Sequence, residues 1–133
     1  MRVLWICNLA IPVIATQLNI PVSNREGWLT GLIDKISLKP IGDRLNLAVA
    51  FPAEGAGLVH NREIVVSENC IIKAYGFGEN LDKPYIYDPS IEDTIRGIID
   101  EFKPDIVHIF GTEFPHTLAA VRAFNNPDKT IIG

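Results

Sequence analysis

Residues 103–117 read Lys-Pro-Asp-Ile-Val-His-Ile-Phe-Gly-Thr-Glu-Phe-Pro-His-Thr. An apolar run over residues 106–110 ends at Gly111, and most of the residues that follow are polar, titratable or able to bend the backbone. This pattern is typical of a buried strand that delivers polar groups to the carboxyl edge of a parallel sheet. Ligands bind at that edge in open α/β sheets, so the sequence predicts a binding site in the loop that begins at Gly111.

The rest of the chain alternates between strand-like and helix-like segments. Strand-like runs cover residues 3–7, 45–51, 63–66, 70–75, 106–110 and 130–133. Apolar residues recur at helical spacing over residues 28–36, 91–102 and 118–124. This alternation predicts βαβ units with right-handed crossovers and a mainly parallel sheet. We therefore expect an α/β fold, a single Rossmann-like three-layer domain over residues 1–133 with strand order 3-2-1-4-5.

Three regions depart from this regular alternation. Residues 53–88 are irregular, and the runs at 63–66 and 70–75 within them predict a hairpin or an extension of the sheet edge. Residues 8–25 show no clear periodicity and predict a long loop, of a length that is often functional. The segment Ser90-Ile-Glu-Asp93 resembles a capping box, which predicts that Ser90 begins the helix that follows.

Composition excludes several classes of function. The 133 residues are 47% hydrophobic with a formal net charge of −4, which indicates a globular chain and not a disordered one. Lys and Arg form no cluster that could neutralise phosphates, so nucleic acid is not expected as a partner. Cys7 and Cys70 lie in strand-like runs and are expected to be buried thiols, as in a reducing compartment. We expect a cytoplasmic protein, with contact to a membrane surface left open.

The first predicted helix opens with a candidate anion site. Glu26-Gly27-Trp28 places a glycine where a ligand can approach the free N–H groups of a helix terminus. The alternative is that Gly27 only forms a tight turn and that Trp28 is a core residue, which is the preferred interpretation for the Trp28 side chain. Neither a Gly-x-Gly-x-x-Gly motif after the first strand nor a P-loop pattern is present.

Three titratable residues follow or lie in the last long strand. His108 alternates with apolar neighbours, and a lone histidine there is more often a core residue than a ligand. Glu113 and His116 have the spacing that places two residues on one helix face, where a carboxylate could tune a general base or hold a sugar hydroxyl. In the alternative interpretation Thr112 or Glu113 caps the helix and His116 lies at the surface. A metal site built from His108, Glu113 and His116 has no evident further ligand.

Three segments together resemble glycosyltransferases of family 4. They are Met1-Arg-Val-Leu-Trp-Ile-Cys-Asn8, Pro21-Val-Ser-Asn-Arg-Glu-Gly-Trp-Leu29 and residues 103–117. The resemblance is to the amino-terminal half of the GT-B fold and spans essentially the whole chain. It implies an enzyme of two Rossmann-like domains that face a cleft, with the acceptor held by the amino-terminal domain and the nucleotide sugar by the other. Enzymes of this family are much longer, so we expect a fragment of such an enzyme, inactive alone.

The resemblance also implies roles for individual residues. Gly27 would lie near the donor phosphates, although Glu26 stands where the family often has another glycine. The residues after the last long strand would border the acceptor. The predicted substrate-binding residues are Glu26, Gly27, Trp28, His108, Gly111, Thr112, Glu113 and His116. No residue is assigned to catalysis, and neither a metal nor another cofactor is expected.

The intact enzyme implied by the resemblance would transfer a hexose from a nucleotide sugar to a glycan or lipid-linked acceptor, with retention of configuration. Apolar surface should then be exposed near the loops after the first and fourth strands, where the second domain would pack. Two alternatives stay open. One is a free-standing α/β ligand-binding module without catalysis, and the other is a metal-dependent hydrolase built on Glu113 and His116.

Overall fold

The computed structural model describes residues 1–25, 27–39 and 45–133, and the predicted site residue Glu26 lies outside them. The strands in these ranges are β1 (Arg2–Ile6), β2 (Asn46–Pro52), β3 (Arg62–Ser67), β4 (Cys70–Phe77), β5 (Ile106–Ile109) and β6 (Thr130–Ile132). The helices are α1 (Pro12–Leu18), α2 (Gly27–Ser37), α3 (Pro89–Phe102) and α4 (Pro115–Phe124).

Over the described residues the strands form one six-stranded sheet in the order β3-β4-β2-β1-β5-β6. Neighbouring strands run parallel except β3 and β4, which form an antiparallel hairpin at one edge. The predicted α/β class, the mainly parallel sheet and the hairpin are thus confirmed. If the β3–β4 hairpin is counted as the third strand, and β5 and β6 as the fourth and fifth, the observed order matches the predicted order 3-2-1-4-5. The architecture is compatible with a Rossmann-like fold.

The central strands are apolar on both faces because helices cover both sides of the sheet. On one face Trp5 belongs to the same core as Ile14 of α1 and Leu29 of α2. On the opposite face Leu4 belongs to a second core with Ile95 of α3. The side chains of β1 therefore alternate between two cores, and the carboxyl end of this strand lies at the middle of the sheet edge.

The prediction of a continuous loop over residues 8–25 is wrong, because helix α1 lies within it. Pro12 occupies the first turn of α1, where a missing N–H costs nothing, and Ile14 and Ala15 are buried. Asn19 ends the helix in the left-handed conformation, with φ of 56°. Seven residues make only about two helical turns, which is too short for a clear apolar period to emerge.

The prediction that Ser90 caps the next helix is also wrong, because α3 begins at Pro89 and its N-cap is Asp88. The Asp88 carboxylate accepts a hydrogen bond from the backbone N–H of Ser90 at 2.9 Å. Hydrogen bonds from the side chain and backbone of Ser90 lower the pKa of Asp88. The helix boundary is therefore fixed by the carboxylate that precedes the proline.

Two further expectations concern cysteines and membranes. Cys7 and Cys70 are both buried and both remain thiols, as expected from their strand-like surroundings. Among the helices in the described ranges, none combines the length and the apolar character needed to cross a membrane.

Candidate functional site

A cleft of about 600 Å³ lies at the carboxyl edge of the sheet, beside the ends of β1 and β5. Its wall includes residues from the loop after β1, the start of α2 and the loop after β5. The residues that matter for its chemistry are Asn8, Arg25, Trp28, Phe110, Gly111 and Glu113. Gly111 and Glu113 of the loop that the sequence predicts to border a binding site lie on this wall.

Aromatic rings form the apolar side of this cleft. Trp28 packs edge-on against Phe110, with the ring centroids 5.1 Å apart, and Phe110 packs in turn against the buried Trp5. The interpretation of Trp28 as a core residue is wrong, since 57% of it is exposed. Trp28 sits in the first turn of α2 and lines the cleft. The cleft thereby offers a flat apolar surface next to polar groups.

A hydrogen-bonded pair, Asn8 and Glu113, forms the polar side. The side-chain amide of Asn8 donates to Glu113 Oε2 at 3.1 Å. Hydrogen bonds from the Glu113 backbone N–H and from the Asn8 amide lower the pKa of Glu113. Glu113 is therefore a carboxylate at neutral pH and can accept hydrogen bonds from a ligand. Arg25 adds a positive charge to the same cleft.

Gly111 makes room for this polar pair. Its φ is +84°, a conformation that residues with a side chain rarely adopt. A Cβ at this position would overlap the Glu113 carboxylate and would lie 2.5 Å from the Asn8 amide nitrogen. The backbone conformation therefore requires glycine, and a Cβ here would push the Asn8 and Glu113 side chains out of their observed positions.

His116 lies behind the cleft wall and is completely buried. Its Nδ1 is 2.5 Å from Glu79 Oε2, and its Nε2 is 2.9 Å from Asn8 Oδ1. The backbone N–H of His116 donates to Glu79 Oε1 at 3.0 Å. The Glu79 side chain is only 2% exposed. A buried carboxylate from the loop after β4 thus binds both the imidazole and the amino end of α4.

These contacts join Glu79, His116, Asn8 and Glu113 into one chain of hydrogen bonds, which we call the site network. The network runs from the buried Glu79 side chain, in the loop after β4, to the cleft. The expectation that Glu113 and His116 share a helix face is wrong, because α4 begins only at Pro115. The alternative of a surface His116 is wrong too, and the N-cap is Phe114 and not Thr112 or Glu113.

The remaining predicted residues do not line the cleft. His108 is half-buried on β5 with its ring centroid 4.0 Å from that of Phe110, and burial lowers the pKa of His108. Thr112 is exposed in the loop before α4. Gly27 is the first residue of α2, and its N–H already donates to the carbonyl oxygen of Asn24 at 3.3 Å. That bond weakens the case for a phosphate at Gly27.

Sequence reasoning missed Asn8 and Glu79, although a usable signal exists for both. Asn8 follows β1 after one intervening residue, and Glu79 follows β4 in the same way. Each is the first charged or amide side chain beyond a parallel strand, as Glu113 is beyond β5. The rule that polar residues after parallel strands converge on one edge would have identified both.

The arrangement of possible metal ligands and the contacts of His116 count against the alternative of a metal-dependent hydrolase. In the part of the chain that the structure describes, no group of three or more His, Cys, Asp or Glu side chains is arranged to hold a metal ion. Both ring nitrogens of His116 are engaged within the site network. A hydrolase built on Glu113 and His116 would therefore lack its histidine ligand.

No protein-family model matches the chain, and no curated protein or solved structure matches it. The resemblance to family 4 glycosyltransferases therefore depends on the three sequence segments alone. The functional roles that it implies stay predictions.

Proposed function

We propose that this chain is the amino-terminal, acceptor-side domain of a nucleotide-sugar-dependent glycosyltransferase with the GT-B fold. The observation that carries the proposal is the meeting of three distant segments at one cleft. Asn8, Trp28 and Glu113 each come from a different one of the three segments that resemble family 4 enzymes, and all of them line the cleft. Their exposed surfaces converge although the segments are far apart in sequence.

The chemistry of the cleft suits an acceptor that carries hydroxyl groups. The Glu113 carboxylate accepts hydrogen bonds, and the exposed ring of Trp28 supplies an apolar surface for the carbon face of a sugar. Exposure of Trp28 beside the loops after β1 and β5 also supports packing of a second domain at this edge. In the intact enzyme that domain would bind most of the nucleotide sugar.

The proposed reaction transfers a hexose, with retention, to a glycan or lipid-linked acceptor. Neither a metal nor another cofactor is required by this scheme, and the described residues alone would bind the acceptor without transferring sugar. The two buried thiols favour the cytoplasm as the compartment. A lipid-linked acceptor would bring the enzyme to a membrane surface.

A second candidate is a ligand-binding α/β module without catalysis. It is favoured by the lowered pKa of Glu113, because a carboxylate that is stabilised in its charged form is a weaker general base. The two candidates share the same cleft and differ in whether sugar is transferred. Product formation by a longer gene product that contains a donor-binding half would support the enzyme, and a reading frame that ends near Gly133 would favour the module.

Tryptophan fluorescence can test ligand binding at the cleft. The chain has two tryptophans, and Trp5 is buried, so a Trp5→Phe background leaves the exposed Trp28 as the reporter. We expect methyl glycosides of common hexoses to change this signal. Glu113→Gln should weaken the binding about tenfold or more, because one hydrogen bond to a charged group contributes about 1.5–3 kcal/mol.

Asp93→Asn is the matched control for that titration, because it neutralises an exposed carboxylate on α3 that does not line the cleft. It should leave glycoside binding unchanged. Binding of nucleotide sugars with no response to any glycoside would contradict the acceptor-side assignment. Loss of binding in both variants would show that net charge, and not the cleft, determines affinity.

A further inference from the structure

We propose that Glu79 and His116 are positioning residues for the cleft: they fix the orientation of the Asn8 amide, which in turn holds Glu113 ready to accept a ligand hydroxyl. The ligand class rests on the proposed function, whereas the positioning itself does not. The inference extends the site to residues that no ligand in the cleft can touch, since His116 is fully buried and Glu79 is nearly so.

The orientation of Asn8 follows from what each partner can donate. A carboxylate offers only acceptors, so Asn8 must direct its NH₂ group to Glu113 Oε2, 3.1 Å away. Its carbonyl oxygen then faces Nε2 of His116 at 2.9 Å. A carbonyl oxygen is an acceptor only, and therefore Nε2 of His116 must carry a hydrogen.

The second ring nitrogen is constrained in the same way. Glu79 accepts the backbone N–H of His116 with Oε1, and its Oε2 lies 2.5 Å from Nδ1. With Glu79 as a carboxylate, Nδ1 must carry a hydrogen too. His116 is then an imidazolium that donates from both nitrogens, and the buried charge of Glu79 balances it.

The surroundings of His116 contain few groups that could alter this arrangement. Among the residues that the structure describes, the side chains in contact with it are Glu79 after β4, Asn8 after β1 and the rings of Phe77 in β4 and of Phe114, the N-cap of α4. Glu113 acts on it through Asn8. Two carboxylates therefore face one imidazolium, one directly and one through an amide.

The network has a direct consequence for what the cleft binds. Loss of the Nε2 hydrogen would leave a lone pair opposite Asn8 Oδ1, and the amide would rotate to donate to the ring. Its carbonyl oxygen would then oppose the Glu113 carboxylate and displace it. With the observed orientation, the amide donor of Asn8 is occupied by Glu113. The pair therefore presents an acceptor to the cleft, which selects hydroxyl donors over anions.

Heteronuclear NMR of the unmodified chain, without carbohydrate, tests the protonation of His116. The chain has three histidines, so His60→Gln and His108→Gln variants assign the ring signals. We expect both ring nitrogens of His116 to carry slowly exchanging hydrogens at neutral pH. A ring nitrogen without hydrogen would overturn the proposal, and because this result needs no variant at Glu79, it holds even if such a variant does not fold.

A second measurement tests whether Glu79 influences Glu113 through His116 and Asn8. In Glu79→Gln the new amide can accept the backbone N–H of His116 with its oxygen and donate to Nδ1 with its nitrogen, so His116 should become a neutral ring that still donates from Nε2. The pKa of Glu113 should then rise in a carbon NMR titration, because the positive charge that faces it through Asn8 is lost. Glu101→Gln is the control, because it neutralises the partner of His60 in another pair with a 2.5 Å contact. An unchanged Glu113 pKa in Glu79→Gln would refute the coupling. Failure of glycosides to bind would bear only on the proposed function.

Discussion

Replacing Glu79 with alanine should lower the free energy of unfolding by about 3–5 kcal/mol, because the proposed imidazolium of His116 would be left as one member of a buried ion pair without the other. Glu79 is 2% exposed and is the charged partner of the fully buried His116. The same carboxylate accepts the backbone N–H of His116 at the start of α4. The variant therefore leaves both the buried Nδ1 and the backbone N–H of His116 without their Glu79 partner.

Urea denaturation measures this loss, and the chain provides a matched control. His60 and Glu101 form a pair with the same chemistry and the same 2.5 Å distance, but the His60 side chain is 67% exposed. His60→Ala should leave the free energy of unfolding nearly unchanged, because water screens an exposed pair and hydrates the remaining partner. Equal losses in the two variants would show that burial does not determine the strength of the Glu79–His116 pair.

Replacing Gly76 with alanine should lower the free energy of unfolding by about 3 kcal/mol or more, at the upper end of the cost of overpacking. Gly76 lies in β4, directly beneath the loop that follows β2. A Cβ there would overlap the carbonyl oxygen of Gly57, and it would lie 2.9 Å from the carbonyl carbon of that residue. The obstacle is backbone, so it cannot move aside as a flexible side chain would.

Gly78→Ala is the control for this substitution. A Cβ on Gly78 meets nothing within 4 Å, although the residue is only two positions further along the chain. Its effect should stay within about 0.5 kcal/mol, as for most surface substitutions. Both variants can be compared by urea denaturation monitored by circular dichroism. If Gly76→Ala is as stable as Gly78→Ala, the close approach of the Gly57 backbone to β4 is not a feature of the folded protein.

Much of the fold could be predicted from the sequence because the sheet and the long helices have strong local signals. A strand such as β1 is apolar at every position after Arg2, and α3 has an apolar face that recurs every three or four residues. Helix α1 had no such signal, since it covers only about two turns and ends at Asn19 through backbone conformation. Asp88 was missed as a cap because Ser90 fits the usual sequence pattern better.

The candidate site could be predicted only in part. Gly111 and Glu113 follow a clear strand, so their place at the sheet edge was accessible from local sequence. The burial of His116 was not, because it results from the loop after β4 folding over the start of α4. Nothing near His116 in sequence indicates that its partners are Glu79 and Asn8.

The site network also has a consequence for the order of folding events. The hydrogen bonds from His116 to Glu79 and to Asn8 span 37 and 108 residues. Closing such long loops costs more entropy than forming a hairpin or a helix, so we expect these contacts to form after the folding transition state. Substitutions in the network should then speed unfolding in stopped-flow experiments and leave the folding rate almost unchanged. The side chains that shape the cleft would thus also set how long each molecule stays folded.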